Sequence, residues 1–246
     1  MNAPLRTKSG RVGRSAVTLM LGVLLGLASR SFAGDPPASQ TPKPSSPATG
    51  AAATPAGDKD GAKAGWTSLF DGQTLKGWKS TEFGGEGTVE VKDGAIMLGV
   101  GNDLTGVNYE RPVPNTNYEV SLEAKRVDGS DFFCGLTFPV KKDPCSLIIG
   151  GWGGGVCGLS SIDGLDASEN STTKYRDFDN GRWYTIRLRV TDARIEAWID
   201  NKQIVNQALA GKKISIRSEV DASRPFGIAS YRTLAALRNI RLRELK

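Results

Sequence analysis

NYEVSLEAKRVDGSDFFCGLTFPV (residues 117–140), KKDP (141–144) and CSLIIGGWGGGVCGLSSIDGLDASEN (145–170) decide the fold class. Three apolar runs are separated by turn residues. Residues two apart on a strand share a face. Tyr118, Val120, Leu122 and Ala124 therefore point one way, and Glu119, Ser121, Glu123 and Lys125 the other. One buried and one wet face is the pattern of an antiparallel sheet. The runs Asp131–Val140 and Ser146–Gly150 are apolar at nearly every position, which places them under cover on both faces or beneath a cleft floor. The spacing predicts three neighbouring antiparallel strands that floor a binding face. Gly151-Trp152-Gly153-Gly154-Gly155 joins the third run to a fourth. Such a loop is either a wide hairpin with Trp152 packed on a neighbour or a place where a ligand comes close to backbone.

Working outward, the N-terminus carries Arg6, Lys8, Arg11 and Arg14 before an apolar segment, Ala16–Ala28, and Ser31-Phe32-Ala33 sets small residues where a signal peptidase reads. This pattern predicts a secretory leader over residues 1–33, with an apolar core too short to span a bilayer. Without the five cations of the leader the formal charge of +6 becomes +1. The high isoelectric point is then a targeting feature, and nothing in it calls for nucleic acid. Residues 34–65 are rich in Pro, Ala, Ser and Thr and lack large apolar side chains, so they read as a disordered tether. One domain, residues 66–246, remains. Its protein is expected to have no membrane span once the leader is gone and no nucleotide cofactor.

The rest of the chain repeats the strand pattern. Trp66–Phe70 reads as a first strand. Gly87–Lys92 and Ala95–Gly99 flank an Asp93-Gly94 hairpin turn. Thr105–Glu110 reads as an edge strand. Trp183–Asp200 forms a hairpin with Tyr184, Ile186, Leu188 and Val190 on one face, and Pro225–Tyr231 and Leu237–Leu245 close the chain. Helical periodicity is nearly absent after the leader, which makes the fold class all-β, a sandwich. Hairpin register puts Cys145 near Val140 and Cys157 near Ile149, so Cys134, Cys145 and Cys157 read as buried thiols. The chain has no histidine to activate any of them.

Trp66-x-x-Leu69-Phe70-Asp71-Gly72-x-x-Leu75-x-x-Trp78 resembles the opening of the 3-keto-disaccharide hydrolase domain family. Gly181-Arg182-Trp183-Tyr184 with Ile199-Asp200-Asn201-Lys202 resembles its penultimate hairpins, and Gly227-Ile228 with Leu237–Leu242 its closing strands. The resemblance covers the whole of residues 66–246. It implies a concanavalin-like jelly roll of two antiparallel sheets, one facing carbohydrate, and action on glycosides oxidised at C3. The central stretch resembles a secreted, planctomycete-type branch acting in the envelope or outside the cell. Relatives carry a histidine shortly after the glycine matched by Gly227; here Ala229-Ser230-Tyr231-Arg232-Thr233 stands instead.

A ketone at C3 acidifies the C2 proton, so the glycosidic bond can leave by elimination and water can add back. That requires a base, an acid and a group to hold the enolate oxygen. Without imidazole, the candidate catalytic groups are Asp131, Glu123, Asp163 and Glu169; Trp152, Tyr231, Arg232, Asp166 and Asn170 are the candidate substrate-binding groups, with Arg232 steadying the enolate. A metal held by such groups would be bound through oxygen, which favours calcium or manganese. The Glu-x-Asp-x-Glu strand motif of laminarinase-type jelly rolls is absent, against ordinary two-carboxylate glycoside hydrolysis. Two other readings stay open. One is a non-catalytic carbohydrate-binding module stacking sugars on Trp152, Trp183, Trp198 or Tyr231. The other is an adhesion domain held out on the tether.

Overall fold

The computed structural model describes residues 65–246. The expected leader and, save Gly65, the expected tether lie outside these residues. Fifteen strands and one short 3-10 turn make up the domain: β1 Thr67–Ser68, β2 Trp78–Ser80, β3 Val89–Lys92, β4 Ala95–Leu98, β5 Leu104–Tyr109, β6 Tyr118–Asp128, β7 Cys134–Val140, β8 Asp143–Gly151, β9 Val156–Ser160, β10 Lys174–Tyr175, β11 Tyr184–Val190, β12 Arg194–Ile199, β13 Lys202–Ala208, the 3-10 turn Ser218–Ser223, β14 Gly227–Tyr231 and β15 Leu234–Glu244. Sheet A runs β13-β12-β11-β6-β15-β4-β3, with β1 on β15; sheet B runs β10-β9-β8-β7-β14-β5-β2. All pairings are antiparallel.

The core lies between the sheets. Tyr118, Val120, Leu122 and Ala124 of β6 and Tyr184, Ile186, Leu188 and Val190 of β11 meet Leu136, Phe138, Leu147, Ile149 and Leu159 of sheet B. Each fully buried side chain of this size stabilises the fold by roughly 1.5–3 kcal/mol. The Tyr118 hydroxyl donates to the Pro139 carbonyl at 2.7 Å, so a core tyrosine of one sheet is hydrogen-bonded to the backbone of the other.

Two expectations change. The runs 117–128, 134–140 and 143–151 are not three neighbours in one sheet: β6 belongs to sheet A, while β7 and β8 belong to sheet B. The chain crosses between sheets at Gly129–Phe133. Gly129 has φ +103, and a Cβ there would sit 2.9 Å from the Thr233 hydroxyl. The strand at 104–109 is not an edge, because β2 pairs outside it. The floor of sheet B is thus β9-β8-β7-β14-β5.

The outer face of sheet A is charged and aromatic. Register places Glu196, Arg189, Glu119 and Arg243 in one row and Trp198, Arg187, Ser121 and Arg241 in the next, with Glu123 beside Arg238 beyond them. Glu119 is fully buried beneath the guanidinium groups of Arg187 (2.9 Å), Arg189 (3.6 Å) and Arg243. Arg187 lies 3.9 Å from the ring centre of Trp198, Arg238 4.1 Å from that of Trp183, and Arg243 4.7 Å from that of Trp66.

Candidate functional site

The outer face of sheet B is built from small residues. Ile228, Leu136, Leu147 and Leu159 point into the core, so their neighbours point out. Register sets Gly106, Ala229, Gly135, Ile148 and Gly158 side by side in one row, and Asn108, Gly227, Thr137, Ser146 and Ser160 in the next. With so little side chain on it, this face is a low floor.

The segment 209–226 crosses that floor. Ser161 and Ser215 exchange backbone hydrogen bonds (2.6 and 3.1 Å), and Asp163 N donates to the Lys213 carbonyl at 2.8 Å. At the other end, Asn108 Nδ2 donates to the carbonyls of Ala222 and Arg224. Glycine is required at 227, where a Cβ would lie 2.6 Å from the Ser223 carbonyl oxygen. This strap forms one wall of a cavity of about 650 Å³ and contributes Arg217, Glu219 and Val220 to it. Ser146, Ile148 and Ser160 lie in the floor, and Phe132, Trp152 and Tyr231 form the facing wall.

That aromatic wall is held from behind. Arg126 is buried, and none of its hydrogen bonds goes to a carboxylate. Its Nη2 donates to the Phe178 carbonyl at 2.6 Å and its Nε to Asn180 Oδ1 at 2.7 Å. Its Nη1 makes longer contacts with the carbonyls of Asp131 and Gly154. Three loops are tied to one guanidinium. Asp131 completes the wall: its carboxylate accepts from Phe132 N at 2.7 Å and from Gly153 N at 3.1 Å. Between these anchors Trp152 is held at φ +49 with 43% of its surface exposed. Phe132 stacks on Tyr231 at 5.9 Å and 27°. Room for the Phe132 ring comes from Gly135, whose Cβ would meet it at 3.0 Å.

Opposite, the Arg217 guanidinium donates to Glu219 at 2.6 Å and to Asp166 at 2.8 Å. Its hydrogen bond holds the Glu219 carboxyl below the usual carboxylate range, so Glu219 is ionised at neutral pH. In the floor, the hydroxyls of Thr137 and Ser146 pair at 2.8 Å, while the buried Ser160 hydroxyl has no partner among the described residues.

Residues 65–243 match the 3-keto-alpha-glucoside-1,2-lyase-like domain. The chain belongs to that family. As a family member it is a carbohydrate-active protein, and among the described residues no helix is long and apolar enough to cross a membrane. No curated protein matches the chain. Among solved structures it is similar to a Bacillus subtilis protein with a galectin-like fold (TM-score 0.50, 10% identity, 69% of this chain and 90% of that one). It is also similar to the Crh5 transglycosylase in its apo form (0.50, 10%, 73% and 83%) and to the carbohydrate-binding module CBM66 of Bacillus subtilis (0.44, 11%, 68% and 96%). At these identities the first two show the fold alone, a jelly-roll sandwich.

Within this family member, the nine residues singled out from sequence scatter. Asp131, Trp152 and Tyr231 line the cavity. Glu123 does not: it stands on the outer face of sheet A, 2.6 Å from Arg238, because β6 is in the other sheet. Asp163 bonds Lys212 (2.7 Å) and Lys213 N (2.9 Å) and so pins the strap rather than facing the cavity. Asp166 reaches the cavity only through Arg217. Glu169 is exposed on the polar loop between β9 and β10 and lines no part of the cavity. Asn170 turns inward on its own loop: Nδ2 donates to the carbonyls of Leu159, Leu165 and Asp166, and Oδ1 accepts from Thr172. Arg232 is held at the rim by Asp103 at 2.8 Å. Trp183 and Trp198 lie under guanidinium groups on sheet A. Among the described residues no three His, Cys, Asp or Glu side chains converge as metal ligands. The three cysteines are free, and burial pushes their thiols up to about 12, 12 and 11 for Cys134, Cys145 and Cys157.

Sequence reading missed Arg217, Glu219, Phe132, Ser146 and Ser160. The one signal for the strap was its length: residues 209–226 carry no strand pattern, and long connections over a rigid sheet are where sites are built.

Proposed function

We propose that the cavity on sheet B holds a saccharide and that the protein cleaves 3-keto-glycosides by elimination followed by hydration. The observation that carries this reading is the pairing of an aromatic wall, Phe132, Trp152 and Tyr231, with an ionised Glu219 and its Arg217 across one cavity. An aromatic face suits the apolar face of a pyranose. With the sugar against that wall, Glu219 takes the C2 proton and the electrons pass to the C3 oxygen as an enolate, which the Arg217 guanidinium stabilises. The enolate then re-forms the ketone as the C1–C2 double bond forms and the C1–oxygen bond breaks. The leaving oxygen takes a proton from the Tyr231 hydroxyl or water. Water adds across C1=C2, with hydroxyl to C1 and hydrogen to C2, and the net change is hydrolysis. A binding module without turnover is the second reading, favoured by the lack of histidine and by Asp131 being committed to backbone amides. We place the action outside the cytoplasm, in a secreted planctomycete-type branch, on the strength of the leader pattern and the central stretch.

The test is release of 3-ketoglucose from a 3-keto-glucoside by the full chain, with and without EDTA. Glu219→Gln is expected to lower turnover by about 10²–10⁴-fold. Turnover of the wild type is expected to hold above the ordinary glutamate range and to fall as pH drops through the lowered Glu219 value, where the base becomes protonated. Turnover unchanged in Glu219→Gln overturns the role of Glu219. Sugar binding without turnover makes the protein a binding module.

A further inference from the structure

We propose that the outer face of sheet A is a second docking surface, for a polysaccharide that carries carboxylates. The proposal is independent of the cavity, which lies on the other sheet.

Charge is distributed unevenly over the domain. Residues 1–64 hold 8 of the 32 Lys and Arg and 3 of the 26 Asp and Glu, which leaves 24 cations against 23 acids for residues 65–246. On the outer face of strands β6, β11, β12 and β15, seven cations stand among three carboxylates. An excess of four positive charges on one face of a domain of net charge +1 leaves the remainder net negative. The cations are also ordered. Glu119 is fully buried, and such a carboxylate is costly to desolvate unless cations surround it. Here three guanidinium groups share it, and one carboxylate neutralises only one of them. Its structural effect is to hold the arginines flat against the sheet. Their side-chain freedom is spent in folding, so little is left to lose when an anion binds.

Three cations of this face, Arg194, Arg241 and Lys125, bond no carboxylate. Arg241 lies over Trp66 at 5.1 Å and Lys125 over Trp183 at 4.6 Å. The Nε donors of Arg189 and Arg241 are buried and have no partner among the described residues. Arg187 and Arg241 share a row with Ser121 between them, two strand spacings apart, about 9.6 Å along the sheet. A row of planar donors over a short serine fits successive carboxylates on a linear chain, because guanidinium groups bind carboxylates in forked pairs. Duplex nucleic acid fits less well: proteins that bind it neutralise on the order of six to ten phosphates, and this face has an excess of four charges.

The experiment measures retention of the full chain on immobilised polygalacturonate, with neutral dextran and duplex DNA as comparison matrices, at low and raised salt. Retention on polygalacturonate that weakens with salt is expected, without retention on dextran. The double variant Lys125→Gln/Arg241→Gln leaves the Glu119 network intact and is expected to bind polygalacturonate about tenfold more weakly at an unchanged melting temperature. Trp152→Ala, in the cavity, is expected to bind the polymer as the wild type does. No retention of the wild type, equal retention on dextran, or unchanged binding by the double variant overturns the proposal. Equal retention on DNA overturns the assignment to polysaccharide and makes the face a general polyanion surface.

Discussion

The two outer faces of this sandwich are made in opposite ways. On sheet A long side chains cover the strands, and the indoles and the outward carboxylates of β6 and β12 already have guanidinium partners. On sheet B glycine, alanine, serine and threonine leave the strands almost bare, and the shape is supplied by loops laid over them. The difference teaches where recognition geometry is stored. Sheet A stores it in register, since alternate residues of neighbouring strands meet wherever the ladders put them. Sheet B stores it in two walls, one tied down by Arg126 and Asp131, the other by Asp163 and Asn108.

This contrast can be broken from either side. The largest effect is expected for Glu119→Ala. It leaves Arg187 and Arg243 without a carboxylate and Arg189 with only Glu196 at 3.7 Å, and loss of one partner from a buried ion network costs about 3–5 kcal/mol. Chemical denaturation is the check, and a change below about 1 kcal/mol would show that solvent already supports those arginines. Next is Arg126→Met, which keeps most of the volume but leaves the Phe178 carbonyl and Asn180 unpaired. The expected loss is about 1–3 kcal/mol. Saccharide affinity in the cavity should fall further than Trp152→Ala alone achieves, since the whole wall loosens. Retained affinity would assign the wall to Asp131 instead. The smallest effect is expected for Trp152→Ala, whose ring is nearly half exposed: stability within about 0.5 kcal/mol of wild type and saccharide affinity down by about three- to tenfold, as for loss of one aromatic contact. Titration with a sugar followed by tryptophan fluorescence reads the affinity, and an unchanged value would move the stacking role to Phe132 and Tyr231.

Much of the fold was legible because strands with one buried face announce themselves. The parity of β6 and of β11 is as read, and the Asp93-Gly94 turn and the Cys157–Ile149 register are where the residues put them. The partition of strands between sheets was not legible. β6 and β7 follow one another with only a glycine-containing link, and nothing local says that the link crosses the sandwich instead of turning within a sheet. Glu123 was misplaced for that reason. The basic cluster was hidden in the same way: Arg187 and Arg189 on β11, and Arg238, Arg241 and Arg243 on β15, are separate polar positions until β6 brings the two strands together. Glu169 and Asn170 show the limit of composition, since a polar loop bonds to itself as readily as to a ligand.

By itself the sequence determined an all-β chain with strands of known parity, a tryptophan set in glycines, and a family opening and closing motif, because these depend on neighbours two or three residues away. Only the tertiary structure decided which residues share a cavity. Phe132 and Tyr231 are 99 positions apart, and Glu219 reaches them from a strap without strand pattern. Contacts at that separation are set by sheet order and by where a connection crosses, and neither is written in the local alternation of side chains.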